Sequence, residues 1–134
     1  MGTLTAKLTL NSSNLTTDSI NIAFTDILNI TKDVRIFKKV IAASETELVE
    51  DQTILSAASY TKSYVFFYNT SSTTAEVITL GTASNDGSGD NALDTVNISL
   101  GAGEFAFYPW NSTVDIVADA ASGSPVLEIG IFEA

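Results

Sequence analysis

The chain contains no cysteine and no histidine, and its 134 residues include only six basic residues, two prolines and one tryptophan. Without cysteine it can form neither a disulfide framework nor a thiolate nucleophile. Without histidine it lacks an imidazole general base, and Cys/His zinc sites are excluded as well. Most common catalytic designs are therefore absent, and we expect a protein that is not an enzyme and uses no cofactor.

Charge is scarce and unevenly distributed. Sixteen acids and six bases give a net charge of −10; all the bases lie in residues 1–62, and residues 63–134 hold nine acids and no base. Such a field repels phosphate groups and anionic lipid headgroups, so we expect neither nucleic acid nor a membrane as partner. The first residues show no basic region followed by an apolar run, and we expect no secretory signal.

Apolar and polar residues alternate along much of the chain, as in strands that have one face in a core. From Thr3 to Leu10 every even position is apolar, and the same pattern predicts that Val96, Ile98 and Leu100 face inward. Segment 27–42 fits a helix or a strand, and its β-branched residues favour the strand. Further strands are predicted at 20–24, 54–57, 63–69, 75–80, 105–108, 114–118 and 126–132.

About eight to ten short strands with turns between them are typical of an antiparallel sandwich or barrel. We predict an all-β, jelly-roll-like β-sandwich, with residues 1–134 in a single domain and residues 1–18 as an N-terminal arm or an exchanged strand. Polar loops are expected at 11–19, 45–51 and 81–92. Residues 101–104 (GAGE) predict a tight turn that needs glycine at positive φ. The strand from Phe105 is expected to end at Pro109, with Phe105 and Phe107 in the core.

Residues 86–94 carry oxygen side chains spaced like the first ligands of a calcium loop. The matching residues are Asp86, Ser88, Asp90 and Asp94. Asn91 stands where that loop has glycine, and Asn97 where it has a bidentate glutamate. An unliganded surface loop is the favoured interpretation, and calcium binding is the alternative.

Two further patterns have ordinary structural explanations. A polar strand face built from Asn, Ser and Thr produces glycosylation sequons because residues i and i+2 share a face, so we expect no glycan. Asp115, Glu128 and Glu104 lie in or beside strands, where acids usually face water, and nothing singles out a glycosidase pair. The sequons begin at Asn11, Asn14, Asn29, Asn69, Asn97 and Asn111.

Three groups of residues are candidate partner contacts. The terminal strand with Leu4 and Leu8 is a candidate for addition to a neighbour's sheet. The bases Lys32, Arg35, Lys38 and Lys39 are candidates for pairing with an acidic surface. Tyr108 and Trp110 stand beside Pro109 where such aromatics often anchor a partner, although packing against the core is favoured.

Beyond about residue 60 the order of segments is distinctive. An aromatic strand enters a polar turn at 65–72, a strand closes in Leu100-Gly101-Ala102-Gly103-Glu104 before aromatic residues 105–110, and residues 127–133 end the chain. This layout resembles the small all-β virion structural proteins of tailed bacteriophages. The resemblance implies a capsid decoration (cement) protein that binds the major capsid protein on the virion exterior and copies of itself as a homotrimer, after synthesis in the host cytoplasm. The alternatives are a tail or head-fibre component, or a carbohydrate-binding β-sandwich module.

Overall fold

The computed structural model describes residues 2–13, 19–43, 53–82, 93 and 95–134, and nearly all of the ordered elements in them are strands. In the described residues the one helical element is a 3₁₀ turn at Ala57–Ser59. The strands are β1 Gly2–Ser12, β2 Ile20–Ile30, β3 Val34–Val40, β4 Thr53–Leu55, β5 Ser63–Asn69, β6 Ile78–Thr82, β7 Thr95–Leu100, β8 Phe105–Trp110, β9 Ile116–Ala120 and β10 Val126–Glu133.

Strands β3 to β10 form two antiparallel four-stranded sheets, in the orders β3-β10-β5-β8 and β4-β9-β6-β7. Strand β3 pairs with β10, β4 with β9, β5 with β8 and β6 with β7. This nested pairing is that of a long hairpin rolled up into two sheets, which is the jelly-roll arrangement. The predicted all-β, jelly-roll-like sandwich is confirmed.

One apolar core lies between the two sheets. Val65 and Phe67 of β5 and Ile129 of β10 contribute from the first sheet, and Ile78 and Leu80 of β6 from the second. Each of these side chains is buried. Removing large aliphatic and aromatic side chains from water supplies the main driving force for folding, and here it also fixes which face of each strand points inward.

Strands β1 and β2 form a separate two-stranded hairpin that we call the arm, residues 2–13 and 19–30. The arm is longer than the expected segment 1–18, because β1 pairs with β2 along its whole length. Residues 7–11 and 21–27 are exposed at every position, so neither face of this part of the arm lies on the sandwich. The arm therefore projects from the body of the protein.

The base of the arm is fixed to the sandwich by backbone hydrogen bonds. The amides of Thr31 and Lys32 donate to the Glu133 carbonyl over 3.1 and 3.4 Å, and the Glu133 amide donates to the Asp33 carbonyl over 3.0 Å. The connection between β2 and β3 at residues 31–33 is therefore held in one position against the end of β10. This fixes the direction in which the arm leaves the sandwich.

Strand β8 corrects two expectations. Pro109 lies inside the strand, opposite Tyr64, and does not end it. The strand tolerates proline because β8 is at a sheet edge, where a missing backbone donor costs no ladder bond. Phe105 and Phe107 point outward and are exposed, whereas Trp110 enters the core. Both faces of this strand are apolar in sequence, so alternation could not decide which side is buried.

Candidate interaction surfaces

The outer face of the β3-β10-β5-β8 sheet is apolar and rich in aromatic rings. Tyr64 stacks on Phe107 with ring centroids 6.2 Å apart, and Phe66 lies 6.3 Å from Phe105. On β3 the side chain of Ile36 is 64% exposed, and on β8 that of Phe105 is 65% exposed. We call this surface the aromatic sheet face; it comprises Val34, Ile36, Val40, Tyr64, Phe66, Tyr68, Phe105, Phe107, Val126 and Phe132.

Two charged residues lie within the aromatic sheet face, and they pair with each other. Lys38 and Glu128 face each other across β3 and β10, with Nζ and an Oε atom 3.6 Å apart. The face therefore carries no net charge although the chain as a whole is strongly acidic.

The outer face of the other sheet has the opposite character. Thr79, Ser99 and Asp119 are partners across β6, β7 and β9, and the neighbouring Asn97 of β7 is exposed. Hydroxyl, amide and carboxylate groups of this kind suit contact with water. Only one of the two sheets thus presents an outer surface suited to docking, since large apolar patches on soluble proteins generally mark interaction sites.

The arm also has one apolar face. Leu8 faces Phe24 and Leu10 faces Ile22 across the hairpin, and the side chain of Phe24 is 69% exposed. The opposite face carries polar residues such as Thr25 and Lys7. We call the first surface the apolar arm face; it comprises Leu4, Leu8, Leu10, Ile20, Ile22 and Phe24. The expectation that this alternating strand has one face in the core is wrong for Leu8 and Leu10, which water reaches.

The four candidate bases do not form one patch. Lys38 lies on the aromatic sheet face, while Lys39 donates to the Thr53 carbonyl over 3.1 Å. Lys32 donates to the Thr61 hydroxyl over 2.8 Å, and Arg35 pairs with Asp33 at 3.3 Å. Each base has a partner within the chain, so the structure does not gather them into a docking site.

Trp110 lies in the core of the sandwich, and Tyr108 packs against that core. Trp110 is buried, donates its indole N–H to the Val114 carbonyl over 3.2 Å, and lies 6.1 Å from the Tyr60 ring. Tyr108 packs against the core beside Phe67, and burial raises the pKa of its phenol to about 12. Trp110 thus packs in the core, as the favoured interpretation had it, and its ring is not accessible to a partner.

Two of the three candidate acids, Asp115 and Glu104, accept hydrogen bonds from loop amides, whereas Glu128 pairs with Lys38. Asp115 accepts from the Ala57 amide over 2.7 Å, and Glu104 accepts from the Gly101 amide over 2.7 Å. Glu133, which is buried, accepts from both the amide and the hydroxyl of Thr61. In the described part of the chain no group of three or more acidic residues is arranged to hold a metal ion. The candidate calcium ligands Asp86, Ser88, Asp90 and Asp94 lie outside the described residues.

One sequon is inaccessible in the folded protein. Asn69 is fully buried, and its side-chain amide donates to the carbonyls of Glu76 and Leu100. Asn11, Asn29, Asn97 and Asn111 are exposed, and Asn14 lies outside the described residues. At Asn69 the triplet is thus a consequence of a structural asparagine that precedes a polar turn.

Sequence reasoning missed the aromatic sheet face, although a signal for it exists. In residues 63–69 aromatic side chains occupy both parities of one strand, which indicates that both of its faces are apolar. The same holds at residues 105–110. Two such strands side by side imply an apolar surface outside the core as well as inside it.

No protein-family model, curated protein or solved structure matches this chain. Among the residues that the structure describes, no helix is long and apolar enough to span a bilayer.

Proposed function

We propose that the chain is a non-enzymatic virion structural protein, a capsid decoration protein that binds the outer capsid lattice and stabilises it. The observation that carries the proposal is the combination of a jelly-roll sandwich with two exposed apolar surfaces, the aromatic sheet face and the apolar arm face. A protein with this much uncovered apolar surface is suited to permanent assembly, and jelly rolls are frequent in viral capsids. Because jelly rolls also occur in lectins, the proposal rests on these surfaces and not on the fold alone.

Capsid binding is tested by sedimentation with capsids of the parent virus produced without this protein. We expect saturable co-sedimentation and a higher temperature of capsid disruption when the protein is bound, because added contact area stabilises the assembled state. The absence of co-sedimentation under conditions in which the protein itself remains folded would contradict the proposal.

A carbohydrate-binding module is the alternative from another class. It requires accessible aromatic rings, and on this molecule Phe105, Phe107 and the half-buried Tyr64 supply them. A glycan array separates the two functions: selective, saturable retention of one sugar class would favour the module, whereas capsid binding without glycan retention favours the decoration protein.

A further inference from the structure

We propose that copies of this chain exchange arms, so that the apolar arm face of one copy packs on the aromatic sheet face of another. The proposal concerns contacts between copies and does not depend on capsid binding. A two-stranded hairpin with both faces in water is only marginally stable, and it needs another surface packed against one of its faces. The arm therefore requires a surface to pack on.

The outer part of the arm does not lie on the aromatic sheet face of its own chain. Residues 31–33 are held to the end of β10 by three backbone hydrogen bonds, Leu28 and Ile30 at the base of the arm are buried, and residues 7–11 and 21–27 beyond the base are exposed on both faces. A reversal that laid Phe24 on its own sheet would break these bonds. A second copy presents the same aromatic face without that constraint.

Charge favours this pairing of surfaces. Residues 2–13 and 19–30 contain one lysine and one aspartate, so the arm carries no net charge, against −10 for the whole chain. The aromatic sheet face is neutral through the Lys38–Glu128 pair. Two strongly acidic molecules therefore meet where each has little charge. The arm also brings Asp26, on the same side as Phe24, towards a face whose single base is Lys38.

The size of the contact requires that the exchange be reciprocal or closed. A hairpin of 11-residue strands is about 34 Å long and about 10 Å wide. One arm on one sheet then removes on the order of 700 Å² from water, counting both surfaces, which is below the roughly 1,200 Å² of stable interfaces. If two copies exchange arms reciprocally, their interface contains two such contacts and reaches about 1,400 Å². Reciprocal exchange in a closed dimer is thus favoured over an open pair.

The mass in solution provides the first test, measured by light scattering on the full chain alone. We expect a closed oligomer, a small multiple of 14.1 kDa. Phe24→Asp on the arm and Ile36→Asp on the sheet should each convert it to monomer. The matched controls are Thr25→Asp on the polar side of the arm and Ser99→Asp on the polar sheet, both exposed, and both should remain oligomeric. A monomeric native chain, or controls as disruptive as the test variants, would overturn arm exchange.

Crosslinking identifies which surfaces meet. The native chain has no cysteine, so single introduced cysteines are unique reactive sites. A mixture of Phe24→Cys and Ile36→Cys chains, with tags of different mass, is treated with a short bismaleimide. We expect crosslinks between an arm cysteine and a sheet cysteine, and none when Thr25→Cys replaces Phe24→Cys.

Predominant arm-to-arm or sheet-to-sheet crosslinks would overturn the proposal even if the native chain is oligomeric. None of the changed residues belongs to the core of the sandwich, so every variant should fold. Circular dichroism of each variant checks this. No capsid is present in either experiment, so their failure is distinct from failure of the proposed function.

Discussion

Asn69 is the polar residue on which the turn after β5 depends. Its side chain donates to the Glu76 and Leu100 carbonyls over 2.8 and 3.1 Å and accepts from the Ser71 amide over 3.1 Å. These bonds tie the end of one sheet to the start of the other while the residue is fully buried. These hydrogen bonds contribute to stability mainly because, without them, carbonyl groups would be buried unpaired inside the protein.

Asn69→Ala should therefore lower the free energy of unfolding by about 2–4 kcal/mol, because it leaves buried groups without partners. Asn97→Ala, at an exposed position of β7, is the matched control and should change stability by less than about 0.5 kcal/mol. Urea unfolding followed by tryptophan fluorescence measures both. If both variants lost the same free energy of unfolding, the hydrogen bonds of Asn69 would contribute no more to stability than an exposed asparagine does.

Tyr108 gives the stability of the fold a dependence on alkaline pH. Burial raises the pKa of its phenol from 10.0 to about 12. Because the folded-state pKa is the higher one, the protonated phenol contributes its full stabilisation below the unfolded value of 10.0. That contribution is lost as the pH rises from 10.0, the pKa in the unfolded chain, to about 12, the pKa in the folded protein.

Between those two pH values, the native chain should lose stability more steeply than Tyr108→Phe, which has no proton to release at this position. Urea unfolding at several pH values in this range gives the two slopes. An ultraviolet titration of the folded protein should also lose its step near pH 12 in the variant. Parallel slopes in the two proteins would rule out this role for Tyr108.

Among the elements, the turn at residues 101–104 behaves as its sequence predicts. Gly103 has φ of +76°, its amide donates to the Asn69 carbonyl over 3.0 Å, and no atom lies within 4 Å of where a Cβ would stand. The constraint there is one of backbone conformation and not of space.

We expect Gly103→Ala to destabilise the fold by about 1–2 kcal/mol and Gly103→Asn by clearly less, since asparagine tolerates left-handed backbone better than alanine. Thermal and urea unfolding of the three proteins provide the ranking. If alanine is tolerated as well as asparagine, the turn must be able to adopt another conformation.

The strands show which parts of the fold the sequence determines. The bounds of β5 match the prediction, Ser63–Asn69, because its aromatic run ends in a polar turn. The prediction for β8 was wrong at Phe105 and Phe107, since a strand with two apolar faces has no alternation to orient it. In β7 the first of the three predicted inward residues, Val96, is exposed, although Leu100 is buried.

The arm shows a related limit at the same scale. Alternation from Thr3 to Leu10 established that one face is apolar, but it could not show what covers that face. Pairing of β1 with β2 as a hairpin, and not with a strand of the sandwich, depends on contacts between distant residues that no local pattern contains. The candidate interaction surfaces were for that reason only partly predictable.

For the whole molecule, composition and alternation predicted the all-β sandwich, and they left the placement of charge relative to the apolar surfaces unknown. The structure shows Lys32, Arg35, Lys38 and Lys39 each engaged within the chain, while the two exposed apolar surfaces are nearly neutral. Association through the bases and association through the apolar surfaces respond to salt in opposite directions.

We predict that raising ionic strength from about 0.05 to about 0.5 M strengthens association between copies. Salt screens the repulsion between two molecules of charge −10 and leaves apolar contacts intact. Sedimentation velocity across a range of protein concentrations gives the association constant at each salt concentration. Association that weakens with salt would instead favour pairing of the bases with an acidic neighbour, and Lys38→Gln, which removes the one base on the aromatic sheet face, would then weaken it further at low salt.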